Sequence, residues 1–202
     1  MTFGPARLPG PTREGRLDTE REQWRLRRSL ERQLHDGAAL RISALALRLG
    51  LLRHHITTAE PDVHTSIDDL QDELHAVLQE LRDVAAKIYP PLLDEAGLGP
   101  AVRQAAERMD RPVRVDAPAD RFGPAAEGAA YFAVVECLKA AARDVRLDVV
   151  VRREGQTLVV DVVGVDLRHA AAVLGLVRSL DGAVDVAGCP SAGTITARIP
   201  CE

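Results

Sequence analysis

Lysine is almost missing from this 202-residue chain, with only Lys87 and Lys139 among 26 basic residues. Arginine carries the remaining positive charge, and 30 acidic residues still leave the chain at a formal −4. That balance provides no basic field for a phosphate backbone, so nucleic acid is excluded as a partner, and the arginine excess reads as genomic base composition. Cysteine is scarce too: Cys137, Cys189 and Cys201 are odd in number and lack CxxC or Cys/His spacing. Neither a disulfide framework nor a zinc site is expected, and a reducing cytoplasm fits best. Aromatic residues make up 3%, which leaves Leu, Val and Ala to fill the interior. No apolar run approaches the roughly 18 residues of a membrane span. The stretch 1–16, rich in Pro and Gly, lacks the apolar core of a signal peptide and reads as a disordered tail. A Ser-His-Asp set, a P-loop and a dinucleotide fingerprint are all absent.

What is present is helical periodicity. From Leu17 to Ile56, apolar residues recur at steps of three and four: Leu26, Leu30, Leu34, Ala38, Ile42, Leu45, Leu49, Leu52 and Ile56. This spacing predicts one long helix. The segment Thr57–Asp62 supplies turn chemistry, with Pro61 unable to continue an existing helix. A second helix follows, in which Val63, Ile67, Leu70, Leu74, Val77, Leu81, Val84 and Ile88 alternate at the seam spacing of bundles. Two long helices joined by a short turn make an antiparallel hairpin. Leu40, Leu47 and Leu51 lie outside the main stripe of the first helix. Pairing of two hairpins into a four-helix bundle would cover that surplus, which predicts a homodimer.

Composition changes after Pro90-Pro91. Ala101–Met109 reads as helix, Val113–Asp116 as extended, and Ala125–Arg143 as a helix with Ala129, Phe132, Val135 and Leu138 on one face. Leu147–Val151 and Leu158–Val163 read as strands around the Glu154-Gly155-Gln156 turn. His169–Leu180 reads as helix, and Val184–Val186 and Thr194–Ile199 as strands. The expected class is α+β, with a helical hairpin over 17–91 and an α/β sandwich over 92–202.

The segment Arg32-Gln33-Leu34-His35-Asp36-Gly37 resembles the phosphoacceptor box of the nitrate-sensor-like subfamily of histidine kinases. Leu81-Arg82-Asp83 and the junction Ile88-Tyr89-Pro90-Pro91-Leu92-Leu93-Asp94-Glu95-Ala96-Gly97-Leu98 resemble that subfamily's passage into its Bergerat-type ATPase domain. The resemblance implies that His35 accepts a phosphoryl group on one imidazole nitrogen. It also implies that Asp36 hydrogen-bonds the other nitrogen and orients the ring. An imidazole can be neutral near pH 7, and an oriented partner is the usual way to activate a weak nucleophile. Read from spacing alone, Asp36 can equally pair with Arg32 on a solvated face.

The sequence departs from the family pattern at several places. Leu40 stands where active members carry the Gln that serves dephosphorylation of the response regulator. Glu136 is followed by Ala140 in place of the magnesium-holding Asn, and an Ala methyl ligates no cation. Gly164 stands near the place of the adenine-reading Asp, with Asp166 two residues on. Only about a dozen residues separate Asp166 from Leu180-Asp181-Gly182, which leaves no room for the nucleotide lid. Glu136 and Asp166 are therefore vestigial cofactor-site candidates, and binding of ATP and magnesium is expected to be lost. Cys137 reads as a small core residue, and His54-His55 as cations suited to a helix C-terminus.

These features lead to the expectation of a degenerate histidine kinase, a dimeric phosphotransfer protein that serves response-regulator receiver domains through His35. The alternatives are a working ATP-dependent kinase and a non-enzymatic scaffold that pairs with an active histidine kinase or sequesters a regulator.

Overall fold

The computed structural model describes residues 12–56, 61–141 and 145–201. Helix α1 (Arg13–Arg32) starts four residues before the expected Leu17, because Thr12 caps it. The Thr12 hydroxyl accepts the Gly15 N–H at 3.2 Å, and Glu14 lies in the first turn, where the helix dipole favours an acid. The first eleven residues of the expected tail lie outside the described residues. A π-helical segment (Gln33–Ala39) joins α1 to α2 (Leu40–His55), whose last turn carries Arg53, His54 and His55. The expected turn over 57–60 is outside the described residues. Helix α3 (Pro61–Ile88) opens on the proline, which suits a first turn where the missing N–H would have had no partner.

The apolar stripe expected along α3 divides in two. Ile67 is buried against the first helix and Leu74 and Leu81 are half-buried there, together with Leu78 and Ala85, which are buried from outside the expected stripe. Val63, Leu70, Val77 and Val84, spaced by sevens, face outward instead. On the first helix the inner positions are small, Ala39 and Ala46, while Leu40, Leu45, Leu47, Leu51 and Leu52 are exposed. Alanines draw the two helices close and leave the bulkier side chains on the outside.

After Tyr89, Pro91 begins a short helix α4 (Pro91–Ala96), which Gly97 ends at φ +83°, a conformation that disfavours any Cβ. Helix α5 (Leu98–Glu107) leads to β1 (Val113–Asp116), and α6 (Pro124–Ala140) precedes the hairpin of β2 (Leu147–Glu154) and β3 (Thr157–Val165). A single 3-10 turn at Leu167–His169 leads into α7 (Ala170–Arg178), followed by β4 (Ala183–Cys189) and β5 (Ala192–Pro200). The sheet order is β1-β2-β3-β5-β4, with β1 parallel to β2 and every other pair antiparallel.

Burial alternates along β2 and β5, so one sheet face is covered by helices. Its inward residues are Leu147, Val149, Val151, Leu158, Val160, Val162, Ile195, Ala197 and Ile199. On the other face Asp161 of β3 accepts from Thr196 at 2.6 Å and pairs with Arg152, and Val159 on the same face is fully buried. Helix α6 does not show the single apolar face expected of it. From Ala125 to Ala130 it is buried on every side, because α1 lies across the side turned away from the sheet. Trp24 of α1 sits there against Gly128, 5.9 Å from Phe132 and 6.5 Å edge-on from Tyr89 between ring centroids. Trp24 of α1 and Tyr89 after α3 thus belong to the core of the sandwich, whereas the buried hairpin residues Ala39, Ala46, Ile67, Leu78 and Ala85 lie outside that cluster.

Candidate functional site

His35 lies in the middle of the π segment, and this placement decides which way it faces. The buried positions Trp24, Glu31, Ala39 and Ala46 step by seven, eight and seven residues. The longer step spans Gln33–Ala39, where each wider turn takes up one extra residue. Without it, the spacing that joins Trp24, Arg28 and Glu31 would place His35 next on the inner face. With it, the His35 side chain is 53% exposed and that of Asp36 78%.

The His35 ring approaches Asp36 through Nδ1, 3.2 Å from Oδ1. An ionised carboxylate can only accept, so this contact holds the proton on Nδ1 and leaves the Nε2 lone pair as the nucleophile. The alternative pairing of Asp36 with Arg32 does not form. Arg32 reaches across to Asp94 instead, through Nε at 2.5 Å and Nη2 at 3.1 Å. Arg28, one turn earlier, holds the same Asp94 carboxylate through its Nε. Two guanidiniums thus meet one carboxylate close to His35 in sequence. Burial alone would push the Asp94 carboxyl up, but the hydrogen bonds from Arg32 and Arg28 outweigh it and hold the group below the ordinary carboxylate range.

Glu31 completes the cluster, 2% exposed, with one carboxylate oxygen lacking a hydrogen-bond partner. Burial pushes its carboxyl up; His35 opposes this, and Asp94, Asp36 and Glu95 add to it. Sequence reasoning missed this group. Arg28, Glu31 and Arg32 do share a helix face by spacing, but Asp94, the partner of the two arginines, lies more than sixty residues on, with no local pattern to mark it. The junction has a second missed device. Glu127 is fully buried and receives Arg121 through Nε at 2.9 Å and Nη2 at 3.0 Å, and the Phe122 N–H at 2.8 Å. Arg121 also donates to the carbonyls of Asp94 and Leu93, tying α4 to the start of α6.

The remaining sequence candidates sit elsewhere. Leu40 is exposed one turn beyond His35. Glu136, on the outer side of α6, accepts from Lys139 at 3.0 Å. Ala140 ends that helix with no oxygen to offer magnesium. Gly164 takes φ +90° at a bulge in β3, and a Cβ there would stand 2.5 Å from the Arg146 carbonyl, so this glycine serves the sheet. Asp166 caps the following 3-10 turn by accepting the Arg168 N–H at 3.0 Å, and its carboxylate also pairs with the Arg168 side chain. That turn runs straight into α7. His55 bonds the Leu51 carbonyl at 2.7 Å, a structural contact. Among the described residues, no group of three or more His, Cys, Asp or Glu side chains is placed to hold a metal ion. No helix among them is long and apolar enough to cross a membrane.

Residues 27–93 match the family model HisKA_3, histidine kinase. No curated protein matches the chain. Among solved structures, the chain is similar to the blue-light activated histidine kinase of Erythrobacter litoralis EL346, with TM-score 0.44 and 16% identity over 82% of this chain and 59% of that one. It is also similar to histidine kinase AdeS of Acinetobacter baumannii, with TM-score 0.40 and 11% identity over 80% and 95% of the two chains. A histidine kinase from Burkholderia phymatum STM815 gives TM-score 0.39 and 17% identity over 82% and 98%.

Proposed function

We propose, from the match of residues 27–93 to the histidine kinase family model, that the chain is a cytoplasmic, dimeric two-component protein that carries phosphoryl groups on His35 to or from receiver aspartates without using ATP. The observation that carries this reading is the His35 geometry: a ring turned outward by the π segment, with Nδ1 held by Asp36 and Nε2 left to solvent. In the transfer, Nε2 attacks the phosphorus of a receiver aspartyl phosphate. The N–P bond forms as the P–O bond to the aspartate breaks, and the carboxylate leaves with the electron pair. The proton on Nδ1 stays against Asp36, which stabilises the imidazolium character of the product. Such a transfer needs positioning and charge neutralisation more than a nucleotide pocket, and the receiver can bring its own magnesium.

The dimer is supported by the outward stripe Val63, Leu70, Val77 and Val84 and by Leu40, Leu47 and Leu51, which one hairpin leaves in water. Loss of ATP use is supported by Ala140, by Asp166 being engaged as a cap, and by the short 3-10 turn where a lid would lie.

The test is uptake of label from a phosphorylated receiver. The wild type should accept it, His35→Gln should not, and Asp36→Asn should accept it more slowly because the ring loses its orienting partner. If His35 takes no label from any receiver of the same cell while control phosphotransferases do, the scaffold reading replaces this one. Thermal denaturation with millimolar Mg-ATP separates the third reading. A ligand at about 100 times its dissociation constant stabilises by roughly 2.7 kcal/mol, so a clear upward shift, abolished by Asp166→Ala, points to a working kinase.

A further inference from the structure

Two guanidiniums on one carboxylate leave a surplus cation, and the arrangement shows which one is spare. Arg28 is the more enclosed, its side chain 27% exposed against 52% for Arg32. Asp94 keeps a charged partner if Arg32 lets go. Arg32 lies three residues before His35, and its charge interacts with that of Asp36, whose Oδ1 is 3.2 Å from His35 Nδ1. Glu31 is acted on by His35, Asp94, Asp36 and Glu95, and Arg32 by Asp94, Asp36 and Glu31. Burial pushes the Glu31 carboxyl up. An incoming phosphoryl group adds up to two negative charges next to Asp36, and the spare guanidinium is the cation within reach.

We propose that Arg32 is the phosphoryl-binding residue of this site: it exchanges Asp94 for the phosphoryl oxygens when His35 is phosphorylated, and Arg28 holds Asp94 meanwhile. Guanidinium forks match phosphate as well as carboxylate, and both contacts are charge-assisted. The exchange also makes the grip of α1 on α4 respond to the state of His35, since both Arg32 hydrogen bonds to Asp94 are released and the one from Arg28 remains.

The inference rests on His35 being a phosphoryl carrier, and the test separates the two. The full-length protein is phosphorylated chemically with phosphoramidate, and the pH titration of the phosphohistidine is followed by phosphorus NMR, with His35→Gln identifying the resonance. A nearby cation favours the dianion, so the wild type should titrate lower than Arg32→Ala, by about 0.5–1 pH unit for one such charge in water. Arg32→Lys should fall between them. Asp94→Asn, which frees Arg32, should titrate at or below the wild type. A partly unfolded variant would move toward free phosphohistidine and cannot reproduce opposite shifts from the two partners. Equal titration of wild type and Arg32→Ala overturns the proposal and leaves the carrier reading intact. The expected shifts without label uptake from any receiver would overturn the carrier reading and leave Arg32 as a phosphoryl-binding residue. If His35 resists phosphoramidate while the exposed His54 and His55 react, both readings fail.

Discussion

Gly128→Ala adds one methyl group where α1 crosses α6, and its effect should depend on a residue more than a hundred positions away. A Cβ at Gly128 would stand 2.5 Å from both Cε3 and Cζ3 of Trp24, and 3.2 Å from Cδ2. Trp24 is itself buried, boxed in by Tyr89 and Phe132 with the Arg27 guanidinium 4.6 Å from its ring centroid, so it has little room to yield. Overpacking of this kind typically costs about 1–3 kcal/mol. Against it stands the helix-propensity gain of Gly to Ala, about 0.5–1 kcal/mol. The net expectation is a loss of about 1–2 kcal/mol. Trp24 is the only tryptophan, so its fluorescence during urea unfolding reports directly on this contact, and emission should shift to the red if the ring is displaced. The decisive comparison uses Trp24→Ala as background, followed by far-UV circular dichroism. With the indole gone the clash is gone, and Gly128→Ala should now stabilise by about 0.5–1 kcal/mol. A Gly128→Ala variant that is as stable as the wild type, with unshifted emission, would refute the packing argument.

The neighbours Val77 and Leu78 should separate association from folding: Val77→Asp, on the exposed stripe, should give a folded monomer by light scattering. Leu78→Asp, which buries an unpaired carboxylate between α2 and α3, should lose helicity by circular dichroism. Asp94 should make stability acid-sensitive. Its folded carboxyl lies below the unfolded value of about 3.9, so its contribution is complete above that pH and fades as pH falls through the folded value. Denaturation midpoints measured from pH 7 down to pH 3 should show a shallower acid limb for Asp94→Asn than for the wild type. Burial, helped by Glu136, pushes the Cys137 thiol up to about 12. A thiol reagent at pH 8 should therefore modify exposed Cys189 in the native protein and reach Cys137 only after unfolding.

Much of this architecture could be read from spacing. The two long helices announced themselves through apolar residues every three or four positions, and the strands through alternation. Val113–Asp116 was located to the residue, because a short run of alternating valines between turn-forming segments has few other solutions. Thr12 as a cap was hidden by the Pro- and Gly-rich stretch before it, and Pro61 as a helix start by the expectation that proline only interrupts. Both errors concerned boundaries, where one side-chain hydrogen bond or one missing N–H decides.

By itself the sequence determined which side chains are available for chemistry: an imidazole at His35, a carboxylate next to it at Asp36, and only a methyl group at Ala140. Those are properties of side-chain type and of local spacing, and they survive in any fold. Only the tertiary structure decided which way His35 faces, because one extra residue in a helical turn rotates everything after it and leaves no mark in composition. It also decided that Arg32 belongs to Asp94 rather than to Asp36, that the α3 stripe serves two surfaces, and that Gly128 is a seat for Trp24. Each of these depends on a partner far along the chain, and the choice of partner follows from packing the whole domain at close to crystal density, not from any window of neighbouring residues.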